Sequence, residues 1–250
     1  IMRRLIYSGK SPAVLFENIK GYDIPVLGNI FGTLDLVKTA LNLSDFREIG
    51  RRITELTKMK IPSSIFDKLK VLPKLSEIGE YAPKYVDSGP VTELIETEEG
   101  NLNSLPVLKS FPEDAGKFIT FGLTITKHPE TGIRNIGVYR IQIVNEKKAI
   151  MHWQKHKRGA QHYEIMREQN HRIETAIVIG TDPSTIFSGV APVPEGMDKF
   201  FFSGIVRKKG VKLVKCKTVD LEVPCNSEIV LEGYVDPNEI RTEGPFGDHT

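Results

Sequence analysis

A change of texture between residues 81 and 112 constrains the fold of this chain more than any other feature of its sequence. Prolines at 83, 90, 106 and 112 interrupt every regular pattern there, and Glu96, Glu98 and Glu99 cluster ahead of Gly100. Such a stretch reads as a crossing between domains, since proline and clustered charge both oppose a packed element. Before it, residues 12–18 and 25–29 read as two short buried strands, with Gly21, Tyr22 and Asp23 as the turn between them. From Ser44 onward Phe46, Ile49, Ile53 and Leu56 fall on one helical face, with Ser44 as N-cap and Pro62 closing the segment. Strands alternating with a helix predict an α/β unit up to about residue 80. After the crossing, residues 118–126, 138–144, 176–180, 200–206, 211–218 and 228–235 are all strand-like. One helix interrupts them over 158–169, with Tyr163 and Met166 facing inward. The expected fold class is α+β, an N-terminal α/β domain with its linker (1–105) followed by a strand-rich domain (106–250). A barrel is favoured only slightly over a sandwich or an open sheet.

Bulk properties exclude several classes of function. With 40% hydrophobic and 26% charged residues the 250-residue chain can bury a core and is not a disordered polymer. A formal net charge of +2 gives no ground for a nucleic-acid partner, and no apolar run is long enough to span a membrane. The start, Ile1-Met2-Arg3-Arg4-Leu5-Ile6-Tyr7, lacks the parts of a signal peptide, so a cytoplasmic location is expected. Cys216 and Cys225 have neither the spacing nor the flanking histidines of a zinc site, and are expected to be small core or strand residues.

Three constellations carry chemistry. In Arg134-Asn135-Ile136-Gly137-Val138-Tyr139-Arg140, Asn135 and Arg140 would point to opposite faces of an unbroken strand. A bulge at Gly137 would bring both to one cavity; a solvent-facing strand is the plainer reading. In His152-Trp153-Gln154-Lys155-His156-Lys157-Arg158-Gly159-Ala160 the chain enters a helix whose basic N-terminus, with an approachable Gly159 backbone, suits a phosphate. The only tryptophan stands beside it, where it lines an aromatic cofactor or simply fills core. In Glu243-Gly244-Pro245-Phe246-Gly247-Asp248-His249-Thr250, a tight turn can hold two carboxylates near an arginine and split their proton affinities.

Together with Leu15-Phe16-Glu17-Asn18-Ile19-Lys20-Gly21, Pro25-Val26-Leu27-Gly28-Asn29, Val214-Lys215-Cys216, Asp220-Leu221-Glu222-Val223-Pro224 and Glu228-Ile229-Val230-Leu231-Glu232-Gly233, these segments are similar, in order, to the UbiD decarboxylase family. The resemblance implies a flavin-binding split β-barrel in the second half. It also implies prenylated FMN, with a divalent metal, often manganese, and a potassium ion at its phosphate. The reaction implied is reversible non-oxidative decarboxylation of an α,β-unsaturated or hydroxyaromatic acid. Two substrate classes fit, 3-polyprenyl-4-hydroxybenzoate and an anhydromevalonate phosphate. Carried over residue by residue, Arg140 would hold the substrate carboxylate, Glu243 would orient the arginine, and Asp248 would supply the proton. The flavin would lie on Val138, Tyr139, Arg140, His152, Trp153, Gln154, Lys157 and Arg158, and the metal on Asn135 and His156.

Two departures stand out. The family's acidic third metal ligand falls on Lys199, preceded by Met197 and Asp198. Either the Lys199 ammonium pairs with the cofactor phosphate in place of the cation, or Asp198 or a water completes the site. The family also continues well past the position of Thr250. The chain therefore reads as a piece, or as a subunit completed by a partner chain or a homo-oligomer, and weak or absent turnover is expected from these residues alone. A flavin prenyltransferase is the implied cofactor supplier. A flavin-binding subunit without its own activity is the runner-up, and a flavin reductase, which needs no two acids around an arginine, comes third.

Overall fold

The computed structural model describes residues 2–58, 76–98, 100–194 and 196–247. In chain order its elements are α1 (Met2–Tyr7), β1 (Val14–Phe16), β2 (Val26–Gly28), α2 (Leu34–Leu41), α3 (Arg47–Thr57), β3 (Lys84–Tyr85), β4 (Phe118–Ile119), β5 (Leu123–Lys127), β6 (Arg134–Val138), β7 (Ile141–Ile143), β8 (Ala149–Met151), α4 (Arg158–Glu168), β9 (Ile173–Ile179), α5 (Pro183–Val190), α6 (Lys199–Arg207), β10 (Lys212–Lys215), β11 (Glu222–Pro224) and β12 (Ile229–Val235). They form two compact units, both discontinuous in sequence. The first comprises Ile1–Glu17, Pro25–Lys84 and Pro183–Lys212; the second comprises Asn18–Ile24, Tyr85–Asp182 and Leu213–Thr250. A single cut near residue 105 therefore misses the return of 183–212 to the first unit.

In the first unit, the two predicted strands pair as an antiparallel ribbon, β1 with β2. They are not buried, since Leu15 and Leu27 are more than half exposed. Phe46, Ile49 and Ile53 do share the inward face of α3, packing on a core of Leu41, Leu43, Ala191, Phe202 and Val206. The start of α3 differs from expectation. Asp45, not Ser44, accepts from a first-turn amide (Arg47 N–H, 2.8 Å), while Ser44 and Asp45 donate their own N–H groups to Glu48. The Ser44 hydroxyl, which also donates to Glu48, and then those backbone N–H groups hold the Glu48 carboxyl down to about 2. The predicted closure at Pro62 lies outside the described residues.

Residues 200–206, read as a strand from their aromatic and β-branched content, are the helix α6. Asp198 caps it by accepting from Phe200 N–H at 2.6 Å, and Lys208 ends it in the left-handed region. Burial overrides the weak strand propensity here: Phe200, Ile205 and Val206 are almost fully enclosed. At Gly204 the Tyr81 carbonyl approaches so closely that any Cβ would lie 2.0 Å from it. Arg52 of α3 donates to the carbonyls of Ile205 and Val206, satisfying groups that the last turn of α6 leaves open. Helix α5, absent from the expected pattern, joins α6 through Thr185 and Ser203 hydroxyls 3.0 Å apart.

The second unit holds two antiparallel sheets, one of order β12-β9-β5-β6 and one of order β4-β7-β8; β10 lies between β11 and β3 in a third. Two predicted strands each prove to be a pair. The run 118–126 breaks at Gly122, where a Cβ would meet the Ile177 side chain at 2.9 Å, and the run 138–144 breaks at Tyr139 and Arg140. Each run thus gives its first and second halves to different sheets, the way a strand turns a corner between packed layers. Ile119, Ile141 and Ile143 are buried between the sheets, against Ile177, Ile179, Leu231 and Met151. Cys225 is buried as expected, pressed against Gly89; Cys216 is half-buried, and burial followed by the nearby Glu232 carboxylate pushes its thiol up to about 12.

Candidate active site

Arg140 owes its direction to the corner between the sheets. β6 pairs with β5 in unbroken register from Lys127↔Arg134 to Leu123↔Val138, so no bulge forms at Gly137. The glycine is needed for a different reason: the Tyr139 ring folds back over it, and a Cβ would come within 2.7 Å of that ring. Arg140 then lies directly across from His152, one step beyond the β7–β8 ladder that pairs Ile141 with Met151, and the His152 N–H donates to the Arg140 carbonyl at 2.9 Å. Opposed residues of an antiparallel pair share a face, so both side chains turn to the same acceptor.

That acceptor is Glu243. Its carboxylate takes Arg140 Nε at 2.6 Å and Nη2 at 2.7 Å, a bidentate fork between residues 103 apart in sequence. His152 Nδ1 lies 3.2 Å from Glu243 Oε2. The guanidinium sits over the Phe246 ring at 4.5 Å and the Phe118 ring at 6.0 Å, and the two rings pack on one another at 4.7 Å. Among the described residues no protein acceptor stands at Nη1, so the outer edge of the fork can take a second carboxylate. Asp248, the third predicted group, lies outside the described residues.

The basic helix N-terminus is built differently from expectation. Gly159 is buried rather than approachable, its N–H donates to the Tyr139 hydroxyl at 2.9 Å, and a Cβ would meet that hydroxyl at 2.5 Å and Trp153 at 2.8 Å. The glycine therefore serves packing. Tyr139, Trp153 and Tyr163 form an aromatic wall, with Trp153 edge-on to Tyr139 and nearly parallel to Tyr163. Burial pushes the Tyr139 hydroxyl up and the Lys157 ammonium down from their usual ranges. Lys157 caps α4 without a side-chain hydrogen bond to it; its Nζ donates back to the Val138 carbonyl at 2.9 Å. Arg158 is half-buried and Gln154 exposed. The buried Trp153 Nε1 has no partner among the described residues. An unpaired indole N–H beside an aromatic wall and two cations is a donor set that fits a planar, phosphorylated cofactor.

The two predicted metal ligands differ in exposure. Asn135 is buried and its amide lies 3.4 Å from the Tyr139 hydroxyl, whereas His156 is exposed. Lys199 opens α6 in the first unit and donates to the Gly189 carbonyl at 2.6 Å. No group of three or more His, Cys, Asp or Glu side chains able to hold a metal occurs among the described residues. Separately, a cleft of about 570 Å³ in the second unit is lined by Ile119, Ile141, Ile143, Ile177 and Leu231 and by none of the predicted site residues.

Sequence reasoning missed Asp114, Phe118, Gln142 and Phe246. Gln142 Oε1 accepts from Gly244 N–H at 2.9 Å and Asp114 Oδ1 accepts from Gly247 N–H at 2.7 Å, so both fix the segment that carries Glu243. No local pattern marks Gln142 or the Asp114–Gly247 contact, because the partners are more than 100 residues apart.

The chain matches the family described as 3-octaprenyl-4-hydroxybenzoate carboxy-lyase Rift-related domain over residues 84–250, and the corresponding N-terminal domain over residues 1–53. An uncharacterized protein of Aquifex aeolicus is 45% identical over 97% of this chain and 50% of its own length. One of Archaeoglobus fulgidus is 47% identical over 95% and 49%. The chain thus spans about half the length of the curated relatives it matches. Among solved structures, vanillic acid decarboxylase of Sedimentibacter hydroxybenzoicus in its closed form superposes with a TM-score of 0.81 at 27% identity, over 98% of this chain and 50% of that one. The UbiD-class enzyme HmfF of Pelotomaculum thermopropionicum, in complex with FMN, gives 0.79 at 26% identity over 95% and 49%. An evolved dimeric form of HmfF carries prFMN and gives 0.80 at 26% identity, over 95% and 51%.

Proposed function

The chain belongs to the UbiD family of carboxy-lyases, and on that premise we propose that it carries the flavin- and carboxylate-binding part of a decarboxylase acting on an α,β-unsaturated or hydroxyaromatic acid. The observation that carries this reading is the Arg140–Glu243 fork, seated on the packed Phe118–Phe246 pair with Nη1 left without a protein acceptor among the described residues. Prenylated FMN, when bound, would supply the electron-accepting ring over which a carbon–carboxylate bond is broken. Tyr139, Trp153, Lys157 and Arg158 would hold it.

The protein's own residues do the rest. Arg140 grips the substrate carboxylate with the planar fork that guanidinium and carboxylate share. Glu243 keeps the other edge engaged, so the arginine neither rotates nor stands as a bare charge after the carboxylate has left as neutral carbon dioxide. The packed Phe118 and Phe246 rings shield one side of the guanidinium from water and so strengthen its ion pairs. Since both Glu243 oxygens are already accepting, the proton that replaces carbon dioxide comes from another group, for which Asp248 is our candidate.

A manganese ion on Asn135 and His156, potassium at the phosphate, cofactor supply by a flavin prenyltransferase, and a cytoplasmic homo-oligomer belong to the same proposal; no step is routed through the metals. A second reading, a flavin-binding subunit that acts only with a partner chain, would use the Tyr139, Trp153 and Lys157 wall without needing the Arg140–Glu243 fork. Reconstitution with prenylated FMN, followed by carbon dioxide release over a panel of both acid classes, tests the proposal. Tight flavin binding without release from any acid would leave only the second reading.

A further inference from the structure

The tail that bears Glu243 is pinned at three points, all within the second unit. Gly244 N–H donates to Gln142 Oε1 at 2.9 Å, the Pro245 carbonyl accepts from Ala115 N–H at 2.7 Å, and Gly247 N–H donates to Asp114 Oδ1 at 2.7 Å. Asp114 is only 4% exposed, and its other oxygen takes Phe111 N–H at 2.9 Å and Ser110 N–H at 3.1 Å. One buried carboxylate therefore folds its own loop and, with its remaining oxygen, ties that loop to the tail. Beside and between the pins, Glu243 and Phe246 are the tail side chains that touch Arg140 among the described residues. Gly247 packs so tightly on the Phe111 ring that a Cβ would lie 2.5 Å from it.

We propose that Asp114 is a positioning residue of this site: it latches the tail so that Glu243 and Phe246 hold the Arg140 guanidinium in the orientation that receives the substrate carboxylate. The inference rests on the reading of Arg140 given above, and it assigns to Asp114 no contact with substrate or cofactor. The choice of acid over amide follows from the donor count. Three backbone N–H groups converge on two oxygens, and an amide would turn its own N–H₂ toward one or two of them, leaving donors face to face. The Gly247 N–H, then those of Phe111 and Ser110, hold the Asp114 carboxyl below the usual carboxylate range. The same N–H groups therefore oppose protonation of the latch as pH falls.

Asp114→Asn is nearly isosteric and tests the latch in the protein reconstituted with prenylated FMN. Gly247→Ala is the second variant, and it disturbs the same contact from the tail side while leaving Asp114 intact. Hydrogen exchange is read at the Gly247 amide and at Arg140 Nε–H, beside β9 and β12 amides as a control for the fold. In both variants the first two are expected to exchange at least about tenfold faster with the control amides unchanged, since a local opening costs less than global unfolding. Turnover is expected to fall by about 10- to 100-fold with KM moving much less, the mark of a misplaced fork rather than a lost binding contact. Wild-type exchange at both probes in either variant, or faster exchange with unchanged turnover, would overturn the proposal. If the unmutated protein turns over no acid, the decarboxylase reading falls, while the exchange data still decide whether Asp114 holds Glu243 on Arg140.

Discussion

The Arg140 corner and the N-terminus of α4 lie on the same unit and are both cationic, yet they are finished to different degrees. At Arg140 the protein itself supplies the counter-ion, two aromatic lids and three pins on the segment that brings them. At α4 the Lys157 ammonium turns back on a backbone carbonyl, the Gly159 N–H is spent on Tyr139, and the Trp153 N–H has no partner among the described residues. The difference is one of preorganisation: the first corner is set by the protein alone, and on the proposed reading the second is completed by the cofactor.

Perturbing the finished corner should have the largest effect. Arg140→Lys keeps the charge but loses the planar fork, and decarboxylation by the reconstituted protein should fall by about 100-fold or more with the flavin still bound; a variant within a few-fold of wild type would show that the fork is not needed. Next, Gly159→Ala forces a methyl into Tyr139 and Trp153 and should lower the stability seen in urea unfolding by about 1–3 kcal/mol. No change would mean the aromatic wall yields freely. Trp153→Phe keeps most of the wall and removes the unpaired N–H, so it should weaken flavin affinity, followed by fluorescence quenching, by about tenfold if the flavin accepts there. Unchanged affinity would place the flavin's acceptors elsewhere.

The smallest effect concerns the back of α4. His162 is buried with Nδ1 2.9 Å from the Thr126 hydroxyl, and its pKa is lowered to about 4 by burial, then by His128 and Arg158. Between that value and the ordinary 6.5 the unfolded chain binds more protons than the folded one, so stability rises with pH across this window and is fully present above it. Replacing His162 by Gln should flatten the acid side of the stability curve by about 1 kcal/mol between pH 4 and 6.5, measured by urea midpoints at each pH. An unaltered slope would place the acid sensitivity on the carboxylates.

How much of this was legible in the sequence depends on the range over which each decision is taken. The helix faces of α3 and the starts of α4 and β12 follow from local periodicity, and they appear close to where they were expected. Residues 200–206 read locally as a strand and fold as a helix because their burial is decided by Tyr81 and by core residues from distant segments, none of which a window on the chain contains. Gly137 and Gly159 were rightly singled out for the wrong reasons: both make room for a tyrosine that no spacing rule brings back to them. The pairing of Arg140 with Glu243 was available only through the family resemblance, since nothing local links residues 103 apart.

β12 is bonded to β9 through seven successive residue pairs, ending at Val235 opposite Ile173. Glu243 stands eight residues beyond that anchor, so the connecting span is at most about 28 Å, however long the contour back to Arg140. In polymer terms the carboxylate is presented to the guanidinium at an effective concentration on the order of millimolar before any ion pair forms. The sheet has already met the entropic cost of closing the large loop, and the fork behaves as a short-range contact that can open and reclose without the surrounding fold coming apart.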